Sequence, residues 1–164
     1  MALLDEQLVE EWLNRNQFFT IRGIKCGVDE IDLLALKYID GVPEYWHVEV
    51  QVSFRPVGYI GGDTNARRRT EEEIRHGVKQ WVEKKFTSDK KRDKRNSITP
   101  NANWRYILVC AVLKDDKELA VMKELGVEIV PYKEVLSYLC DNTTHQSSSV
   151  ASNITEILKY LRET

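Results

Sequence analysis

The chain has 164 residues, about the size of one domain, since single hydrophobic cores typically run to ~100 to 200 residues. Its composition, 42% hydrophobic and 30% charged with a net charge of −2, excludes a fibrous or intrinsically disordered protein and gives no overall reason to expect nucleic-acid binding. No apolar run reaches the ~18 to 20 residues of a membrane span and no signal-peptide pattern is present, so we expect a cytoplasmic protein without a membrane partner.

The first third of the chain predicts one helix followed by three strands. The helix is indicated over residues 3–13 by an apolar stripe at helical spacing, formed by Leu4, Leu8, Val9, Trp12 and Leu13. Strand patterns follow over residues 18–22, 28–37 and 44–53. Asp40-Gly41 lies between the last two patterns, and this dipeptide predicts a β-hairpin.

The remainder of the chain predicts alternating helices and strands. Residues 55–66 indicate a loop, and Thr70 with Glu73 indicates a capped helix start. After a basic loop, residues 104–113 predict a central strand, followed by a helix (114–125), a strand (127–130) and a helix (132–140). The order predicts an α/β (α+β) fold with a central mixed sheet flanked by helices. We expect one domain over residues 1–140, a polar linker over 141–152 and a C-terminal helix over 153–164.

Cysteines and the last helix carry less information. Three widely spaced cysteines without a CxxC pair indicate reduced thiols rather than a disulfide framework or a zinc site; they are Cys26, Cys110 and Cys140. The last helix has an apolar stripe that should pack on its own chain or on a second subunit, as a homodimer, because large exposed apolar residues in a row are a liability. The stripe consists of Ile154, Ile157, Leu158 and Leu161.

The predicted hairpin has a polar face that contains carboxylates. Strand side chains alternate, so Asp32 and Glu30 should face away from the apolar set of Ile31, Leu33 and Ala35. In the partner strand the polar set is His47, Glu49, Gln51 and Ser53. A reversal at Asp40-Gly41 places Asp32 opposite either Glu49 or Gln51. Neighbouring carboxylates repel each other, and a hard divalent cation removes that cost, although a plain wet face of a hairpin would show the same alternation.

These segments resemble a known family. Asp29–Ala35 (DEIDLLA) and His47–Gln51 (HVEVQ) resemble the GEIDLIA and VEVK segments of the PD-(D/E)xK nuclease superfamily, and most closely its small bacterial branch related to Holliday-junction resolvases and RecB-type nucleases. Glu6, Val9 and Trp12-Leu13 ahead of Phe18 are similar to the first helix of that branch. The resemblance covers roughly a third of the chain, from Asp5 to Ser53.

The resemblance implies a restriction-endonuclease-like core and a Mg²⁺-dependent endodeoxyribonuclease that hydrolyses DNA phosphodiester bonds, with Mn²⁺ as a substitute ion. Asp32, Glu49 and the Val50 carbonyl would hold the metal, and Glu6 would complete the site. Gln51 stands where the family usually has lysine, and some active members resemble this chain in carrying ExQ. The alternatives are a catalytically silent nuclease-fold module that binds nucleic acid or a protein partner, and a plain interaction domain.

Basic residues suggest how duplex or branched DNA would be held. The run from Lys84 to Arg95 carries a local charge of +5, and with three arginines before the capped helix it would contact phosphates. The residues are Arg67, Arg68, Arg69, Lys84, Lys85, Lys90, Lys91, Arg92, Lys94 and Arg95. His47 shares the polar face with Glu49 and is interpreted either as a general acid or as a structural histidine.

Overall fold

A computed structural model describes residues 2–56, 58–62, 67–142 and 149–163. Its strands are β1 (Phe19–Cys26), β2 (Asp29–Ile39), β3 (Val42–Gln51), β4 (Trp104–Cys110) and β5 (Val127–Pro131). Its helices are α1 (Ala2–Arg15), α2 (Glu71–Val82), α3 (Asp89–Ile98), α4 (Asp116–Glu124), α5 (Tyr132–Asp141) and α6 (Val150–Glu163), and a π-helical turn (Glu83–Thr87) connects α2 to α3. None of the helices in these ranges is both long and apolar enough to cross a membrane.

The five strands form one mixed sheet in the order β1-β2-β3-β4-β5. The β1–β2 and β2–β3 pairs are antiparallel, whereas β4 runs parallel to β3 and β5. Side chains of β4 alternate between two cores: Ile107 and Val109 pack with α1, α5 and α6, while Leu108 and Cys110 pack with α2, α4 and the π-helical turn. The predicted α/β architecture, with a central sheet flanked by helices, is therefore confirmed.

The β2–β3 hairpin has the first of the two predicted registers. Leu33 pairs with Val48, which puts Asp32 in line with Glu49 if the register is continued. The turn residues Asp40 and Gly41 both have positive φ, at 50° and 80°, as a two-residue hairpin turn of the primed type requires.

The prediction that Ile31 shares a face of the sheet with Leu33 and Ala35 is wrong. Ile31 packs with Ile24 and Leu34, in a different cluster from Leu33 and Ala35. The cause lies in the neighbouring strand, where Gly23 has a φ of 67° and interrupts the pairing between Arg22–Leu33 and Ile24–Ile31. A positive-φ glycine within a strand is typical of a local kink, and the kink lies beside Asp32.

The predicted basic loop is wrong, because these residues are helical. Residues 83–87 form the π-helical turn and residues 89–98 form α3. Apolar periodicity could not reveal α3, because the residues that it buries are Lys91 and Arg95, four positions apart on one helical face. Phe86 of the π-helical turn is fully buried beside them.

The C-terminal helix packs differently from the prediction. It begins at Val150 and buries Ala151, Ser152 and Thr155, whereas Ile157 and Leu161 are 59% and 64% exposed. The physical reason is that small side chains allow α6 to approach α1 and α5 closely. A second subunit on the exposed stripe stays a prediction. Residues 143–148 of the predicted linker lie outside the described residues, and all three cysteines are buried and form no disulfide.

The loop between β3 and α2 is fixed at two points. Glu118 of α4 is fully buried and accepts the Ile60 N–H at 2.5 Å. Gly61, with a φ of 65°, lies directly against Gly77 of α2, so that a methyl group added to Gly61 would be 2.1 Å from the Gly77 carbonyl oxygen. The two glycines therefore permit the backbone of this loop to contact α2.

We expect Gly61→Ala to destabilise the fold more than the matched variant Gly41→Ala. Both glycines have positive φ, so both variants lose about 1 to 2 kcal/mol through the unfavourable backbone conformation. Only Gly61→Ala also has a clash with backbone, since nothing lies within 4 Å of a methyl group at Gly41. Urea denaturation measures both, and equal losses would contradict the close contact with Gly77.

Candidate functional site

The site begins where the regular pairing between β2 and β3 ends. The last pair is Leu33–Val48, and beyond it the Asp32 carboxylate accepts the Val50 backbone N–H at 2.8 Å. A side chain of β2 thus occupies a place in the ladder that a backbone carbonyl would otherwise take. This contact fixes Asp32 at the end of the hairpin, beside Glu49 of β3.

Asp32 is a half-buried carboxyl group in a negative environment. Burial, and next the charge of Glu49, raises the pKa of Asp32 to about 6. The Val50 N–H and the ammonium groups of Lys85 and Lys91 act in the opposite direction and do not compensate. Asp32 therefore experiences a local deficit of positive charge.

Glu6 of α1 joins the same electrostatic cluster. Burial raises its pKa, and the charges of Asp32, Glu30 and Glu49 add to that increase, whereas Arg22 opposes it. The later acids of α1 have other partners: Glu10 accepts from Arg22 at 2.8 Å, and Glu11 accepts from Arg15 at 2.8 Å. The structure therefore brings Glu6, the acid of α1 that the family resemblance implied, into electrostatic reach of Asp32.

Glu49 is 1% exposed and accepts hydrogen bonds on both carboxylate oxygens. Its Oε1 atom lies 2.7 Å from Lys91 Nζ and 2.9 Å from His47 Nε2, and its Oε2 atom lies 2.8 Å from Lys85 Nζ. Both lysines come from the helical segment that the sequence analysis interpreted as a loop. A buried carboxylate is strongly unfavourable without such partners, so the two ammonium groups stabilise its ionised form.

His47 is a fully buried, neutral histidine that orients Glu49. Its pKa is well below the usual range because of burial and of the nearby charges of Arg95, Lys91 and Lys85. Arg95 Nη1 donates to Nδ1 at 2.7 Å, and the Nε2–H group therefore donates to Glu49. Phe86 contacts the imidazole ring edge-on, with 4.9 Å between centroids. His47 is thus placed to position Glu49 and is shielded from solvent.

The predicted phosphate contacts divide into exposed and buried residues. The prediction is wrong for Lys91 and Arg95, which are only 2% and 3% exposed because they form the buried face of α3. Lys85 points toward Glu49. The exposed or partly exposed basic residues on this segment are Lys84, Lys90, Arg92 and Lys94.

The arginines before α2 are also divided. Arg67 is paired with Glu73 at 2.6 Å, next to the confirmed capping box of Thr70. Arg68 is exposed, whereas Arg69 is half-buried, with its guanidinium 5.8 Å from the centre of the Tyr59 ring. Arg68 is therefore the arginine of this group that a phosphate could approach with least competition.

Sequence reasoning chose Gln51 beside Glu49 and assigned Lys85 and Lys91 to phosphate contacts, so it missed their contacts with Glu49. Gln51 is exposed at the end of β3, where its backbone pairs with Cys110. Lys85 and Lys91 lie 36 and 42 positions after Glu49. The available signal was a Lys91–Arg95 spacing of four residues in a charge-rich run, and solvated helices show the same spacing. Only the packing of α3 on the sheet distinguishes these cases.

The donor atoms of the site fit a hard divalent cation in their chemistry. Mg²⁺ prefers carboxylate oxygens, and Asp32 is such a donor in a place that lacks positive charge. Glu49 could be a second carboxylate ligand once Lys85 no longer donates to its Oε2 atom. In the arrangement shown, no three His, Cys, Asp or Glu side chains among the described residues are grouped closely enough to hold an ion. The Val50 carbonyl stays a predicted ligand.

Comparisons with known proteins give little similarity. No family model and no curated protein matches the chain. A solved structure, the crystal structure of AF1548, described as a protein of unknown function, is similar with a TM-score of 0.47 and 14% sequence identity. The similarity covers 82% of this chain and 66% of that chain.

We expect Asp32→Asn to stabilise the protein near neutral pH. A carboxyl whose pKa is raised to about 6 favours folding while protonated, and that stabilisation is lost as the pH rises from about 4 to 6. An amide avoids the loss, so above pH 7 the variant should gain roughly 2 to 3 kcal/mol in free energy of unfolding. Urea denaturation at pH 4 and pH 7.5 measures the change.

The matched control for this prediction is Asp40→Asn in the exposed hairpin turn. Asparagine tolerates the positive φ of that turn, so the control should behave like the wild type at both pH values. A gain for Asp32→Asn that is equally large at pH 4 would show that the effect does not come from ionisation of Asp32.

Proposed function

We propose that this protein is a metal-dependent nuclease that hydrolyses DNA phosphodiester bonds at the end of the β2–β3 hairpin. The observation that supports it is that Asp32 and Glu49 lie together where the backbone pairing of β2 with β3 ends. Glu6 is in electrostatic reach of Asp32, and Lys85 donates a hydrogen bond to Glu49. Acidic oxygens and an ammonium group in one cluster are the groups that phosphodiester hydrolysis requires.

Each residue has a defined task in this proposal. Asp32 and Glu49 would hold Mg²⁺ or Mn²⁺, with Glu6 and the Val50 carbonyl as further oxygen donors. When bound, the ion supplies Lewis-acid polarisation of the phosphoryl oxygen. His47 and Lys91 keep the Oε1 atom of Glu49 in place, so that the carboxylate does not rotate when Oε2 changes partner.

Exposed basic side chains would hold the DNA backbone. Lys84, Lys90 and Arg92 lie on the π-helical turn and α3, the same segment that carries Lys85 to the site. Contacts of ammonium and guanidinium groups with phosphates are independent of sequence and are weakened by salt. We therefore propose binding with little sequence preference.

One observation favours a second candidate function. Glu49 is neutralised by two lysines of its own chain, which is also what a nuclease fold without catalysis would show. In that case the protein would be a silent module that binds nucleic acid or a protein partner. Cleavage of DNA distinguishes the two candidates, because a silent module can keep the acidic residues of the fold without hydrolysing phosphodiester bonds.

We expect the wild type to bind Mn²⁺ and to nick supercoiled DNA, and Asp32→Ala to lose both. Calorimetry measures binding, which should weaken at least about tenfold when one of the few charged oxygen donors is removed. Asp40→Ala, in the exposed turn, serves as the control and should behave like the wild type. Mn²⁺ binding without cleavage of linear, nicked or branched DNA would contradict the nuclease and support the silent module.

We expect the double variant Lys84→Ala/Lys90→Ala to bind DNA more weakly and with a smaller dependence on salt. Each lost phosphate contact should reduce the slope of log affinity against log salt by about 1. Fluorescence anisotropy across a KCl series measures the slope. Lys133→Ala on α5, on the opposite side of the sheet, is the control for loss of a lysine charge away from the proposed DNA contacts. An unchanged slope in the double variant would place the DNA elsewhere.

A further inference from the structure

We propose that Lys85, carried by the π-helical turn, is the cationic catalytic residue of this site and takes the place that the strand residue Gln51 leaves without a charge. The inference rests on the proposed nuclease function and assigns a residue to it. It is based on the position, anchoring and exposure of Lys85, each of which differs from that of the neighbouring Lys91.

The first observation is the division of contacts between the two oxygens of Glu49. Lys91 and His47 both contact Oε1, whereas Lys85 Nζ contacts Oε2 at 2.8 Å. Withdrawal of Lys85 would therefore release one oxygen while the other remains fixed. The arrangement allows Oε2 to change partner without loss of the buried network.

The second observation is accessibility. The side chain of Lys85 is 28% exposed, whereas that of Lys91 is 2% exposed. Lys85 can thus contact Glu49 and solvent from one backbone position, but Lys91 has no route to a substrate. The two lysines therefore have different tasks: Lys91 holds Glu49, and Lys85 can turn toward a bound phosphate.

The third observation is the local backbone. Residues 83–87 form a π-helical turn between α2 and α3, a rare conformation that occurs frequently at functional sites. The turn is anchored by Phe86, which is fully buried and whose carbonyl accepts from Arg95 Nη1 at 2.7 Å. The backbone of Lys85 is consequently fixed, while its side chain is 28% exposed.

The chemistry that follows requires no proton transfer by Lys85. The oxygen of a water molecule forms a bond to phosphorus, and the bond from phosphorus to the leaving deoxyribose oxygen breaks. The water gives its proton to a solvent base, and the leaving oxygen takes a proton from solvent. Lys85 stays protonated throughout, and its positive charge stabilises the additional negative charge on the phosphoryl oxygens. The neutral amide of Gln51 cannot supply that charge.

The experiment compares Lys85→Ala, the double variant Lys85→Ala/Gln51→Lys and the control Lys133→Ala. Single-turnover cleavage at saturating protein separates the rate of cleavage from DNA affinity. Lys85→Ala should cleave at least about 100-fold more slowly, as expected for the loss of one charge-stabilising donor. Its Mn²⁺ affinity by calorimetry should be unchanged or higher, because Lys85 no longer competes for Oε2. The double variant Lys85→Ala/Gln51→Lys should cleave at least about tenfold faster than Lys85→Ala.

Other outcomes separate this inference from the function on which it rests. Cleavage by Lys85→Ala within threefold of the wild type would overturn the role of Lys85 and leave the nuclease intact. Loss of Mn²⁺ binding in Lys85→Ala, with an unchanged thermal midpoint, would overturn it in favour of a role in assembling the metal site. If Lys85→Ala unfolds, Lys85→Met keeps the apolar stem and replaces it in each comparison. A wild type that neither binds Mn²⁺ through Asp32 nor cleaves DNA would overturn both proposals.

Discussion

The buried carboxylate of Glu49 is the point on which the rest of the site depends. It is held by Lys85, Lys91 and His47, which belong to the π-helical turn, α3 and β3. An ionised carboxylate at 1% exposure is stable only with such partners, and removal of one partner of a buried ion pair typically costs about 3 to 5 kcal/mol. The contacts of Lys91 with Glu49 and of Arg95 with His47 attach α3 to the sheet, since the helix has almost no apolar residues with which to do so.

The site has an unequal distribution of charge across a short distance. On one side Glu49 is neutralised by two ammonium groups, and on the other side burial, and next the charges of neighbouring carboxylates, raises the pKa values of Asp32 and Glu6. A cation is favoured beside Asp32, and a phosphate is favoured beside the lysines. An arrangement of this kind suits a substrate that brings anionic oxygens together with a divalent ion.

The position of Lys85 shows why chemistry is better compared in space than along the chain. A lysine two positions after Glu49 would extend from β3, but that position is Gln51 and is exposed. The π-helical turn brings an ammonium group to the same carboxylate from another element. A motif of neighbouring residues therefore omits this lysine, because a side chain about 6 Å long can reach the same point from several backbone positions.

The sequence by itself determined the features that depend on neighbouring residues. The capping box of Thr70, the Asp40-Gly41 hairpin to within two registers, the central strand β4 and the α/β order are all encoded in short local patterns. Only the tertiary structure decided the helical state of the basic run, the inward direction of Lys85 and Lys91, and the side of the sheet on which Ile31 lies. These features depend on contacts between residues distant in the chain, and a lysine that neutralises a buried carboxylate has the same local sequence pattern as one that is solvated.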